Sequence, residues 1–211
     1  MTLKVSEEDF LACFGSATYA RLKAYTENFI IWNRKFSFTS VPDAEIFTKL
    51  VAPSAWLGKE LSGEESGRLI LDFGCGPGIP GVPMAIANAG NRYLLIDSHG
   101  KKIAFVKQAI AKDAFFTQEN VKALVLRINP DTELSPADIL VSRAAGDMLE
   151  IVSLFRGKMK KGASAYFFKG GDADEEVMAL LKRFPSAKID VLSTPAWFED
   201  LKIVRIFECF T

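Results

Sequence analysis

Residues 69–81 read Leu-Ile-Leu-Asp-Phe-Gly-Cys-Gly-Pro-Gly-Ile-Pro-Gly, so a carboxylate, Asp72, is followed at once by Gly74, Gly76 and Gly78. A second carboxylate, Asp97, closes the next apolar run, Tyr93–Ile96. This is chemistry for holding a nucleoside. Glycines let backbone approach a ligand with no Cβ in the way, and an acid about 20 residues further on is placed to grip a ribose diol. Two cofactors compete for such a cradle. Gly76-x-Gly78-x-x-Gly81 satisfies the dinucleotide fingerprint, whereas Asp72 followed by Gly74-x-Gly76-x-Gly78 reads as an S-adenosylmethionine loop. A pyrophosphate binds bare N–H groups at a helix start and repels a nearby carboxylate. Pro77 and Pro80 remove N–H donors where a pyrophosphate wants them. S-adenosylmethionine has no phosphate and carries a sulfonium and an ammonium, which suit Asp72. The residues therefore favour the methyl donor over a nicotinamide dinucleotide, with Asp72, Gly74, Gly76, Gly78 and Asp97 as its contacts. The plain alternative is a glycine turn that holds no ligand.

A second candidate position is Val141-Ser142-Arg143-Ala144-Ala145, at the expected end of the fourth strand, where a methyl acceptor normally lies. It lacks the Asn/Asp-Pro-Pro-aromatic run of enzymes that methylate exocyclic amines. No cysteine follows a proline, as pyrimidine-carbon methylation often requires. An acceptor that is already nucleophilic fits what is left, and guanine N7 is one, its lone pair lying in the ring plane. Catalysis is then mainly alignment and charge complementarity. Arg143 is the candidate orienting residue, since a guanidinium donates in pairs to a guanine edge or stacks on the base; a structural ion pair is the alternative. Lys169-Gly170-Gly171 is a second cationic loop or a solvated turn. Arg34, Lys35, Lys101, Lys102 and Lys107 are candidates for a phosphate-binding patch, each one also readable as an ordinary solvated charge. His99 is the single histidine, which excludes a histidine-based metal cluster and reads best as a cap or loop residue.

The elements that position these groups follow from periodicity. Ser6 can cap a helix beginning Glu7-Glu8-Asp9. Leu22, Tyr25, Phe29 and Trp32 recur at helical spacing as a core-packing stripe. Residues 6–62 read as helical, with Pro42 suited to the first turn of a further helix and Pro53 interrupting or bending it. The polar stretch Ser62–Gly67 separates an N-terminal helical extension, 1–62, packed on the core, from a domain over 68–211. In that domain strands near 68–73, 92–97, 121–127, 138–142, 163–168, 187–192 and 202–209 alternate with helices near 79–88, 100–113, 147–157 and 173–183. Such alternation predicts an α/β, doubly wound, mostly parallel seven-stranded Rossmann-like sheet. The last two strands lack a helix between them, which predicts an antiparallel last strand.

Composition bounds the rest. Of 211 residues, 49% are hydrophobic, enough for a full core. Lys+Arg and Asp+Glu both number 26, so any RNA contact must come from a local patch. Cys13, Cys75 and Cys209 form no C-x-x-C and read as free thiols of a reducing compartment. No signal peptide or membrane-spanning run is evident. The expectation is a cytoplasmic monomer with no metal and no membrane partner.

With these residues in view, the chain from about residue 28 onward resembles the small-subunit (16S) ribosomal RNA guanine-N7 methyltransferases, the glucose-inhibited division protein B or RsmG family. Trp32-Asn33-x-x-Phe36-x-Phe38-Thr39-Ser40, Asp72–Pro83, Asp97-Ser98-His99-Gly100-Lys101-Lys102, Ser142-Arg143-Ala144 and Lys169-Gly170 carry the likeness. It implies S-adenosylmethionine as donor, small-subunit rRNA or the assembled small ribosomal subunit as partner, and cofactor contacts at Gly74, Ile79, Ile128, Asn129 and Arg143. The family's His and Asp near Leu50–Ser54 are absent here, and Asn129 stands where the family often has an acid. Other readings are methyl transfer to another RNA or to a small molecule, and a non-catalytic ribosome-binding module of the same fold.

Overall fold

The computed structural model describes residues 6–63, 66–114, 116–117, 120–171 and 173–210; Glu64 and Glu65 of the polar stretch lie outside the described residues. Ser6 caps α1 (Glu7–Phe14) in a reciprocal capping box with Asp9. α2 (Ser16–Phe36) follows directly. Its buried Tyr19, Leu22, Tyr25 and Phe29 form one stripe at helical spacing. The helical reading of 6–62 then needs a correction. Residues 37–42 are non-helical, a 3-10 turn spans Asp43–Glu45, and Phe47–Val51 is a π-turn leading into α3 (Ala52–Glu60). Pro42 precedes the 3-10 turn as its cap, and Pro53, which cannot donate to the preceding turn, lies in the first turn of α3 just after the widened segment.

α3 is buried from Ala52 to Gly58. A helix apolar all round lies inside a core. At Gly58 an added Cβ would lie 2.6 Å from the Met84 carbonyl oxygen, so α3 meets α4 (Gly81–Ala87) backbone to backbone. The polar stretch at 62–67 is thus a change in composition across which a single apolar cluster runs, joining Leu22, Phe29 and Leu57 to Ile70, Leu95 and Val141 of the sheet.

The sheet has seven strands: β1 (Leu69–Phe73), β2 (Arg92–Asp97), β3 (Val121–Val125), β4 (Ala137–Arg143), β5 (Met159–Lys169), β6 (Lys188–Val191) and β7 (Lys202–Phe207). Their order is β3-β2-β1-β4-β5-β7-β6. β7 is antiparallel to both of its neighbours and the other pairings are parallel. The predicted α/β fold is therefore present, with the antiparallel last strand inserted between β5 and β6. Side chains alternate between faces along each strand. Ile70, Leu95 and Val141 face α2–α5, where α5 is Gly100–Lys112. Leu71, Ile96 and Leu140 face α6 (Met148–Phe155) and α7 (Ala173–Arg183). Parallel strands deliver their C-terminal ends, with the loops after β1, β2, β3 and β4, to one edge. Among the described residues no helix is long and apolar enough to cross a membrane.

Candidate functional site

The loop after β1 is shaped by its glycines and prolines. Gly74, Gly76 and Gly78 all have positive φ. Gly78 and Ile79 donate to the Cys75 carbonyl, so the chain turns before α4 begins at Gly81, two residues later than the sequence predicts. At Gly74 a Cβ would lie 2.4 Å from Cβ of Ala145, which lets the loop approach the end of β4. At Gly76 a Cβ would enter open space with φ at 54°.

Beside this loop is a cleft of about 410 Å³ whose lining includes Phe73, Gly74, Asp97, Lys102, Ile128 and Ala145. That volume suits a nucleoside-sized ligand. Asp97 is its anion. Burial pushes its carboxyl up, but hydrogen bonds from the His99 backbone and ring and from the Gly76 N–H, with Lys102 nearby, hold it below the usual carboxylate range. The His99 amide and the Gly76 amide donate at 2.7 and 2.9 Å. One carboxylate thus locks the glycine loop to the start of α5 and faces the cleft ionised. His99 is the N-cap of α5, and its Nδ1 lies 2.9 Å from Asp97, so this histidine serves the loop.

Asp72 is placed differently from the expectation. It shares a face of β1 with Ile70, toward the helices, and is fully buried. Its Oδ2 accepts from the Gly81 amide at 2.8 Å, and Oδ1 has no partner. Burial pushes its carboxyl up to about 8, with Asp97 adding repulsion and the Gly81 amide opposing. Asp72 therefore supports the loop from beneath as a neutral acid at pH 7, and Asp97 supplies the negative charge at the cleft. The unfolded chain ionises near pH 4 while the fold holds the proton to about pH 8, so the stability that Asp72 gives is full at low pH and declines across that window. Asp72→Asn, which keeps the acceptor for Gly81, is expected to gain thermal stability over the wild type progressively from pH 4 to 8. Melting curves across that range check it; parallel curves would contradict it.

Arg143, at the end of β4, turns away from this cleft into a second one of about 380 Å³, lined by Lys49, Pro53, Trp197, Glu199 and Asp200 among others. Its Nη2 donates to the Lys49 carbonyl at 2.8 Å, and the guanidinium lies 5.4 Å from the Phe168 ring centroid. Nη1 is buried and has no partner. No ion pair involves Arg143 among the described residues, which removes the structural ion-pair alternative. Burial lowers its pKa to about 10, so it stays charged at pH 7. The next two residues, Ala144 and Ala145, line the first cleft. The β4 end is thus the common wall of both clefts, and Ala144 takes φ 56° there.

The other predicted residues divide. Ile128 lines the first cleft, whereas Asn129 points into its own turn, bonded to Asp131 and Thr132. Ile79 is buried, and an added Cβ at Gly78 would meet Val82 and Val106. Lys169 is held between Glu176 at 2.6 Å and the Gly146 carbonyl, so it ties β5 to α7. Arg34 pairs with Asp43 at 2.8 Å on the surface. Lys35 and Lys101 both lie over the Phe36 ring, at 5.4 and 6.0 Å from its centroid, which brings the end of α2 to the start of α5. The short helix Ala196–Phe198 and the two acids after it went unnoticed in the sequence; the signal was an aromatic pair and two acids in a connection too short for a helix layer. Among the described residues no cluster of His, Cys, Asp and Glu could hold a metal ion.

Comparisons with known proteins agree with this geometry. Solved S-adenosylmethionine-dependent methyltransferases share the fold. One from Aquifex aeolicus aligns at 14% identity and TM-score 0.59 over 81% of this chain and 96% of its own. TYW2 of P. horikoshii, solved with MeSAdo, aligns at 13% identity and TM-score 0.51 over 74% and 62%. Ribosomal RNA small subunit methyltransferase G of Pasteurella multocida (strain Pm70) is 31% identical over 176 residues, 83% of this chain and 80% of that protein. The protein of the same name from Shewanella baltica is 28% identical over 84% of this chain and 83% of its own. The family model described as rRNA small subunit methyltransferase G matches residues 18–204, and the chain belongs to that family, GidB.

Proposed function

We propose that this protein transfers a methyl group from S-adenosylmethionine to N7 of a guanine in small-subunit ribosomal RNA. The observation that carries the reading is Arg143: a half-buried cation with no ion pair among the described residues and one unpartnered donor arm, on the wall between a cofactor-sized cleft and a second cleft. Taking an unpaired charge even partly out of water is costly, and such groups concentrate at functional sites. S-adenosylmethionine supplies, when bound, a methyl group on a sulfonium. The first cleft fits it: Asp97 offers an anion to a ribose diol, Gly74 and Ile128 line the space beside it, and Gly76, whose amide Asp97 binds at the loop, leaves open space where a side chain would stand. Guanine N7 needs no general base, and the clefts hold no histidine beyond His99, which Asp97 engages.

The test is direct transfer. Purified protein, methyl-labelled S-adenosylmethionine and either naked small-subunit rRNA or assembled small subunits are expected to yield 7-methylguanosine on nuclease digestion. Label in a different nucleoside, or none, would reject the acceptor. Gly76→Val, which combines a strained φ with a side chain in the open space, is the expected inactive control, with no calorimetric binding of the cofactor.

Lys35 and Lys101, gathered around Phe36 at the α5 start, are proposed to meet RNA phosphates, with Lys102 reaching the cofactor cleft. Phosphate contacts fix position and release counterions, each taking about 0.7–0.9 from the slope of log K against log salt. Lys35→Gln with Lys101→Gln is expected to weaken rRNA binding and to flatten that slope by about 1.5, leaving cofactor affinity unchanged. An unaltered slope in a filter-binding titration would remove these lysines from the RNA surface.

A further inference from the structure

The connection from β6 to β7 walls the second cleft with Trp197, Glu199 and Asp200. Both acids are exposed, and neither is in an ion pair among the described residues. Glu199 has φ 54° and ψ −124°, a conformation in which glycine is far more comfortable. Trp197 is half-buried, its ring 4.6 Å from Phe198 and 5.3 Å from Phe10. Arg143 lines the same cleft, its Nη1 covered and unpartnered at the wall. A flat apolar ring, a carboxylate and a guanidinium thus line one cavity of about 380 Å³.

We propose that this cleft takes the acceptor base, and that Glu199 selects guanine by accepting from its N1–H and N2 amino group while Arg143 donates to O6. The inference rests on the methyl-transfer reading above. A carboxylate accepts two parallel hydrogen bonds, and guanine presents two donors side by side on that edge. With O6 held by Arg143, N7 is the next ring acceptor along the base, and it is turned toward Ala144 and Ala145, where the two clefts share a wall. As the N7 lone pair forms its bond to the methyl carbon, the C–S bond breaks with its electron pair left on sulfur. The positive charge passes to the base and no proton moves. Arg143 at O6 fixes the orientation of the base, and the Glu199 carboxylate at N1 offsets both the guanidinium and the charge that develops on the ring, which is stabilisation aimed at developing charge.

Once the methylated nucleotide has been mapped with wild-type protein, small subunits are reconstituted with guanosine or with inosine, which lacks the N2 amino group, at that one position. Wild-type protein is expected to lose about tenfold in kcat/KM on inosine. Glu199→Gln is expected to fall about ten- to a hundredfold on guanosine and to discriminate little between the two substrates, with calorimetric cofactor affinity unchanged. Glu199→Gly is expected to share that kinetic defect while melting at or above the wild-type temperature, because glycine accepts this φ; a merely structural role would not separate the two. Wild-type kcat/KM in Glu199→Gln, or inosine discrimination kept intact, would overturn the assignment and leave methyl transfer standing. Wild-type protein that methylates neither substrate would overturn both.

Discussion

A chain beginning at Gly67 is expected to be insoluble, or to lack a cooperative melt, although it retains every strand of the sheet. It loses Leu22, Phe29, Ile46, Val51 and Leu57, all with no exposed surface. Each such side chain contributes about 1.5–3 kcal/mol on burial, so these five alone match the whole stability of a typical domain, about 5–15 kcal/mol. Their sheet-side partners, Ile70, Leu95 and Val141, would be left facing water. The α3–α4 contact at Gly58 would vanish as well, and with it the support behind the glycine loop. Expression of the truncated chain followed by thermal melting checks this. A soluble, cooperatively melting product would show that 68–211 folds independently of the N-terminal helices.

Arg143→Ala is expected to fold and to lose about ten- to a hundredfold in turnover. One charged hydrogen-bonding group aimed at a substrate is worth on the order of 1.5–3 kcal/mol, and each 1.36 kcal/mol is tenfold in rate. The fold should tolerate the change, because among the described residues the Arg143 side chain has one hydrogen bond, to the Lys49 carbonyl, and no ion pair. Removing a half-buried charge that lacks an ion-pair partner among the described residues also relieves part of a desolvation cost. Arg143→Lys should restore only part of the rate, since lysine keeps the charge and loses the planar fork. Wild-type turnover in Arg143→Ala would drop Arg143 from the site; loss of the fold would make it a structural residue.

The sheet was legible because each buried strand is a short apolar run bounded by turn residues, and because Ser193–Leu201 is too short for a crossover helix. The glycine loop was legible because positive φ at Gly74, Gly76 and Gly78 restricts residue type. Asp72 was misplaced for a reason of period: a carboxylate at a strand end lines the cleft or hides beneath the loop according to which face it shares, and Ile70 settles that only once the helices are in position. The lysines were visible as charges. Only packing shows that Lys169 belongs to Glu176 while Lys35 and Lys101 meet at Phe36. Trp197 and Glu199 carry no local pattern, since they join Arg143 through tertiary structure some 50 residues away in the chain.

The central claim, methyl transfer to guanine N7 of small-subunit rRNA, is tested most directly by mass spectrometry of nucleosides from purified small-subunit rRNA of cells with and without this gene. Without the gene 7-methylguanosine is expected to be lost, and to be restored by the wild-type protein and not by Gly76→Val. An unchanged 7-methylguanosine content would contradict it.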